Sequence, residues 1–141
     1  DIKMASQIQL VMYEGFLGED PVMRFTDTGK PVTNFKMASN RQYNTSDGKK
    51  VKEVTWLRVT AWNKMAEIAN QYCEKGSHVI VTGRLKTGKN GSPEVYEGTD
   101  GVHRSTYELV LDSLRVIKGK EGAPVDQENG DFVDPNDELP F

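Results

Sequence analysis

The stretch EVTWLRVTAWNKMAEIANQYCEKGSHVIVTGRLK (residues 53–86) decides the fold. Its first ten residues are rich in β-branched and aromatic types, and their alternation is that of a strand with two different faces. Leu57, Val59 and Ala61 fall on one face as plain core residues. Trp56, Arg58, Thr60 and Trp62 fall on the other. A helix follows, with Met65, Ile68, Ala69 and Tyr72 at i, i+3, i+4 and i+7, and Gly76 stands where a C-terminal cap belongs. The residues SHVIVTGRLK then read as the next strand.

Upstream, QIQLVMYEGFLG reads as a strand stopping at Gly15 and Gly18. PVMRFTDTGKPVTNFKMAS reads as two short strands about the turn Thr26-Asp27-Thr28-Gly29. RQYNTSDGKKVKE reads as a polar, basic loop around Ser46-Asp47-Gly48. Downstream, TGKNGSPEVYEGTDGVHR reads as a long hairpin-like loop, and STYELVLDSLRVI as the last strand. Five strands with one helix between the third and fourth is the order of the oligonucleotide/oligosaccharide-binding barrel, an all-β fold. A β-sandwich is the structural alternative, but it has no use for that helix. The expected layout is a barrel domain over 1–118, a flexible Gly/Pro/acid-rich linker over 119–133, and an acidic tip over 134–141.

The net charge of −3 conceals a segregation. Residues 119–141 carry seven acids and one base, whereas residues 1–118 carry 17 bases and 14 acids. A mildly basic body with an acidic tail points to an anionic partner for the body and a separate task for the tail. The plainer reading of the tail is a solubilising one. The lone cysteine, Cys73, cannot bridge internally, and with no signal-peptide pattern it points to a reducing, cytoplasmic setting. No apolar run approaches the ~20 residues a membrane-spanning helix needs, so no membrane partner is expected. Met4-Ala5-Ser6 reads as a natural start, with residues 1–3 an addition.

Two tryptophans flanking an arginine make an unusual strand face. One reading is a second buried layer, under the helix or against another subunit. The other is a stacking platform, on which unpaired bases lie against flat side chains while basic residues hold the phosphates. Candidate phosphate contacts surround it. Lys36, Arg41, Lys49, Lys50 and Lys52 bracket the loop before the strand, with Tyr43 inside it. Arg84, Lys86 and Lys89 follow the helix, and Arg104 closes the later loop. No cofactor is implied: there is no Gly-x-x-x-x-Gly-Lys-[Ser/Thr] loop, and His78 and His103 lack metal-ligand spacing. Cys73 has no His/Asp partner in evidence and no carboxylates form a recognisable catalytic set, which argues against an enzyme, a nuclease included.

Taken in order, GFLGEDPVMRFTDTGKPVTNFKMASNR and WLRVTAWNKMAEIANQYCEKGSHVIVTGRLK resemble the bacterial single-stranded DNA-binding protein family over residues 8–117. The resemblance is carried by Gly-x-Leu-Gly-x-Asp-Pro (15–21), the tryptophan strand, the Ala-Glu helix and Lys-Gly-Ser (75–77), and it returns in the ending Asp-x-Leu-Pro-Phe. It implies a non-catalytic protector of single-stranded DNA at the bacterial nucleoid, acting in replication, recombination and repair. It implies base stacking by Trp56, Trp62 and Tyr43, a homotetramer, and a docking tip for partner enzymes formed by Asp134, Asp137, Glu138, Leu139, Pro140 and Phe141. Three departures stand out. Asn90 replaces a hairpin aromatic, a role Tyr96 could fill; the stretch SPEVYEGTDGVHR is long; the linker is short. An RNA-binding barrel of the same fold is the runner-up, and the tail argues against it.

Overall fold

A computed structural model describes residues 6–120. Eight strands and one helix run in the order β1 (Val11–Leu17), β2 (Val22–Phe25), β3 (Pro31–Asn44), β4 (Lys50–Trp62), α1 (Lys64–Tyr72), β5 (His78–Leu85), β6 (Tyr96–Glu97), β7 (His103–Arg104) and β8 (Tyr107–Lys118). The main sheet has the order β1-β5-β8-β4-β3-β2, and β1 also pairs with β3. That extra pairing closes five strands, β1, β3, β4, β5 and β8, into a barrel, while β2 lies outside on β3. The helix falls between the third and fourth barrel strands, as the sequence predicts. All pairings are antiparallel except β4 with β8.

Closure requires strands to cross closely at two corners, and glycine stands at both. A Cβ on Gly15 would collide with the Ala38 carbonyl of β3, where β1 leaves β5 for its second partner. A Cβ on Gly83 would collide with the Val110 carbonyl, beside an irregularity in the β5–β8 register. Both tolerate the approach because they carry no side chain.

The interior is filled by the predicted aliphatic face of β4 (Leu57, Val59, Ala61) with Phe35, Met37, Val79, Val81, Leu109, Leu114 and Val116 from its neighbours. Helix α1 closes one end by burying Met65, Ala66, Ile68 and Ala69. A buried Thr33 hydroxyl donates to the Ala66 carbonyl at 2.7 Å, tying helix to barrel. Burial pushes the Cys73 thiol up to about 12, as befits a core cysteine.

Several local expectations differ. The polar stretch 41–53 is not a loop. Its arms continue β3 and β4 without a break, from Arg41 opposite Glu53 to Asn44 opposite Lys50, and only residues 45–49 turn. Its strand character was hidden because both faces of the projecting ribbon are wet, which removes the apolar alternation. Gly76 does not cap the helix. Extended Cys73 ends it, donating to the Ala69 carbonyl at 3.1 Å, and Gly76 serves the next turn with φ +88°. Strand β1 is shorter than its apolar run, and the long loop contains a small hairpin of β6 and β7. At the other end, Gly119 and Lys120 remain attached to the helix: Lys120 donates from its backbone to the Tyr72 carbonyl and from Nζ to that of Asn70, both at 3.0 Å. The rest of the expected linker and the tip, from residue 121 on, lie outside the described residues.

Candidate nucleic-acid interface

Strand β4 carries the site on its outer face. Trp56 and Trp62 are 51% and 42% exposed, while Leu57, Val59 and Ala61 between them are buried. The tryptophans therefore do not form a second layer under the helix. Neighbouring strands extend this face in register. Lys36 of β3 stands opposite Arg58, and Glu108 of β8 flanks Arg58 on its other side. Lys86 completes that row, donating from its backbone to the Glu108 carbonyl at 2.9 Å. The next row runs Asn34, Thr60, Val110, Arg84. A third joins Trp62 to Val32 and, through β2, to Arg24.

Three contiguous clefts follow this face. The first, about 420 Å³, lies between the sheet and the long loop; Lys36, Arg58, Trp62, Lys86, Tyr96 and Glu108 are among its lining. The second, of about 410 Å³, is formed by Gly18, Glu19, Lys36, Trp56, Leu57 and Thr106. The third passes Trp56 again and ends between Glu53 and Tyr107. Thr106 borders all three, so they form one groove running along β4. A flat apolar ring stands at each end of its central part, with cations between.

The predicted contacts divide into two groups. Lys36, Trp56, Arg58, Trp62 and Lys86 are brought together in the groove. The others lie apart. Lys52 and Lys50 share the tryptophan face by alternation, but far out on the ribbon. Tyr43 and Arg41 have the opposite parity and face the other way, with the Arg41 guanidinium stacked over the Tyr43 ring at 4.7 Å and bonded to Glu53 at 2.8 Å. Arg84 reaches Asp112 at 3.4 Å. Arg104 grips Asp100 through two bonds of 3.1 and 2.6 Å, and that guanidinium holds the Asp100 carboxyl below its ordinary range. Lys89 and Asn90 border a separate cleft at the tip of the long loop. Tyr96, in contrast, lines the central groove, 51% exposed, where an aromatic was missing at Asn90.

Arg24 was missed by sequence reasoning. Its signal was present in the hairpin about Thr26–Gly29, whose register sets Arg24 beside Val32. The carboxylates Glu94 and Glu108 were missed too, since only the closed barrel brings them into the groove. Among the described residues, no cluster of three or more His, Cys, Asp or Glu could hold a metal, and no helix is long and apolar enough to cross a membrane.

A closed barrel of five strands, with its helix between the third and fourth and a row of exposed aromatics and cations along one face, is the oligonucleotide/oligosaccharide-binding fold. Within that class, residues 8–117 match the Single-strand binding protein family, and the chain belongs to it. It is 34% identical over 124 residues to the single-stranded DNA-binding protein of Neisseria meningitidis serogroup B, covering 85% of this chain and 68% of that one. It is 32% identical to the single-stranded DNA-binding protein of Xanthomonas axonopodis, over 83% of this chain and 62% of the relative. Single-stranded DNA-binding protein 1 of Chlorobaculum tepidum is 40% identical over 84 residues, 60% of this chain and 52% of its own.

Proposed function

We propose that this chain binds single-stranded DNA without sequence specificity, as a coat rather than a catalyst, with bases stacked on Trp56, Trp62 and Tyr96 and phosphates held by Lys36, Arg58, Lys86 and Arg24. The observation that carries the reading is the exposure of both tryptophans on one cation-bearing face of a barrel whose aliphatic residues point inward. Stacking needs a π-face and no particular base, so such a face takes any unpaired strand and rejects a duplex whose bases are already stacked. Lys52 extends the basic surface along the tryptophan face of the ribbon, while Lys89, Arg41, Arg84 and Arg104 are secondary contacts apart from that track, the three arginines already paired with carboxylates, and Tyr43 offers a further ring on the ribbon's other face. The family resemblance supports the rest: a homotetramer, work in replication, recombination and repair at the nucleoid, and recruitment of partner enzymes through Asp134–Phe141. There, the Phe141 ring and Leu139 would offer apolar surface, and Asp137 and Glu138 negative charge, to a basic, apolar pocket. The test is electrophoretic retardation of a labelled oligo-dT by the full chain, with unlabelled duplex as competitor. Retention of the single strand in the presence of excess duplex is expected; displacement by duplex at equal concentration overturns the reading. Removing residues 134–141 should leave oligo-dT binding unchanged or slightly tighter at low salt while ending co-purification of partner enzymes.

A further inference from the structure

The central groove holds carboxylates where a phosphate track has no use for them. Glu94 and Glu108 line the same cleft as Lys36, Arg58 and Lys86. Glu108 is held in place: its backbone sits in register with Arg58, its Oε1 lies 3.8 Å from Lys86 Nζ, and its side chain is only 18% exposed. An ionised carboxylate accepts hydrogen bonds and donates none, so it repels a phosphate but welcomes an N–H. Beside it, the Thr60 hydroxyl donates to Asn34 Oδ1 at 2.9 Å. That bond occupies the Thr60 proton and leaves the Asn34 amide nitrogen with hydrogens to give. Aromatic rings stand on the same cleft, at Trp62 and Tyr96.

We infer that this cleft is a base-edge subsite, in which a base stacked on Trp62 or Tyr96 turns its polar edge toward Glu108 and Asn34. It rests on the proposed stacking of single-stranded DNA and goes beyond it by giving the groove a chemical preference. Cytosine presents a 4-amino donor, the usual partner of a carboxylate on a base edge. Thymine, of the same ring size, presents a carbonyl oxygen at that position and meets the carboxylate with like polarity. Asn34 suits the adjoining acceptor atoms of cytosine. Glu108 is thus a specificity-determining residue that biases an otherwise permissive groove toward cytosine, while Lys86 keeps its charge balanced.

The experiment compares the full chain with Glu108→Gln, each titrated with oligo-dC, oligo-dT and oligo-dC whose exocyclic amines are dimethylated, all of one length. Comparing the two proteins cancels differences in stacking and backbone stiffness among the strands. In the unaltered chain, dimethylation should weaken binding by about five-fold per occupied subsite, the scale of one net hydrogen bond. In Glu108→Gln that loss should shrink, and the dC:dT affinity ratio should fall by a similar factor. Equal gains for dC and dT in the variant, with dimethylation equally harmful to both proteins, overturn the inference and leave Glu108 a mere charge. Failure of the unaltered chain to bind any of these strands overturns the proposed function itself.

Discussion

Gly18 lies against the ring of Trp56: a Cβ placed on it would sit 2.8 Å from Cζ3 and 3.1 Å from Cη2. The Gly18 N–H donates to the Lys36 carbonyl at 2.9 Å, so the backbone beneath the ring is pinned to the neighbouring strand. The tryptophan ring is therefore packed on a residue 38 places away that contributes no side chain.

Gly18→Ala should displace that ring without harming the barrel. Affinity for poly-dT is expected to fall by up to ~1 kcal/mol, a fraction of one base stack. In a Trp56→Ala background the same change should cost nothing further, a non-additivity that a double-mutant cycle reads directly. Equal losses in both backgrounds would show that Gly18 acts elsewhere.

Trp56→Ala and Trp62→Ala should each weaken poly-dT binding by roughly 1–3 kcal/mol. Both side chains are about half exposed, so thermal stability should change little. Leu109→Ala, which empties a fully buried position, should do the reverse, lowering stability by about 2–5 kcal/mol. Calorimetry alongside titration separates the two behaviours. Unfolding of both tryptophan variants would restore the buried-layer reading.

Affinity should fall steeply with salt, with a slope of about −0.7 in log K per neutralised phosphate. The cations are not equal in this. Lys36, Arg58 and Arg24 make no ion pair among the described residues, whereas Arg41, Arg84 and Arg104 already face Glu53, Asp112 and Asp100. A paired guanidinium gives up one anion to take another, so it releases less counterion. Lys36→Met, Arg58→Met and Arg24→Met should each flatten the slope by about 0.7, and Arg104→Met by clearly less. Equal slopes across all four would contradict this ranking.

Cys73 gives a pH dependence that is independent of DNA. Its folded-state value is raised from 9.0 to about 12 by burial. Above pH 9 the unfolded chain loses the thiol proton while the folded chain retains it, so stability falls as pH rises from about 9 toward 12. Cys73→Ala should remove that part of the decline in denaturant titrations, and native Cys73 should resist alkylation at neutral pH. Rapid alkylation of the folded protein would refute the burial.

The legible part of this molecule is the part with two unlike faces. Alternation through Trp56–Trp62 revealed both the core face and the exposed tryptophan face, since one side of β4 meets the interior and the other meets water. The ribbon of residues 41–53 was illegible because water meets both its faces, and the parity that sends Tyr43 away from the tryptophans depends on strand register over that ribbon. Glu108 joins the groove only through the parallel β4–β8 pairing, a contact between residues fifty apart in sequence that no local pattern encodes. The partners of Arg84 and Arg104 likewise emerge only from the folded chain. Tyr96 could be named as a substitute for the aromatic missing at Asn90, but its place opposite the sheet follows from the path of the long loop.

The most direct measurement is quenching of intrinsic fluorescence in the full chain by poly-dT, because both tryptophans of the protein lie on the proposed platform. Strong, saturable quenching is predicted, reversed by salt, weaker with poly-U and nearly absent with duplex DNA. Poly-dT binding that leaves the fluorescence unchanged, or duplex quenching equal to that of the single strand, would contradict a stacking face on β4.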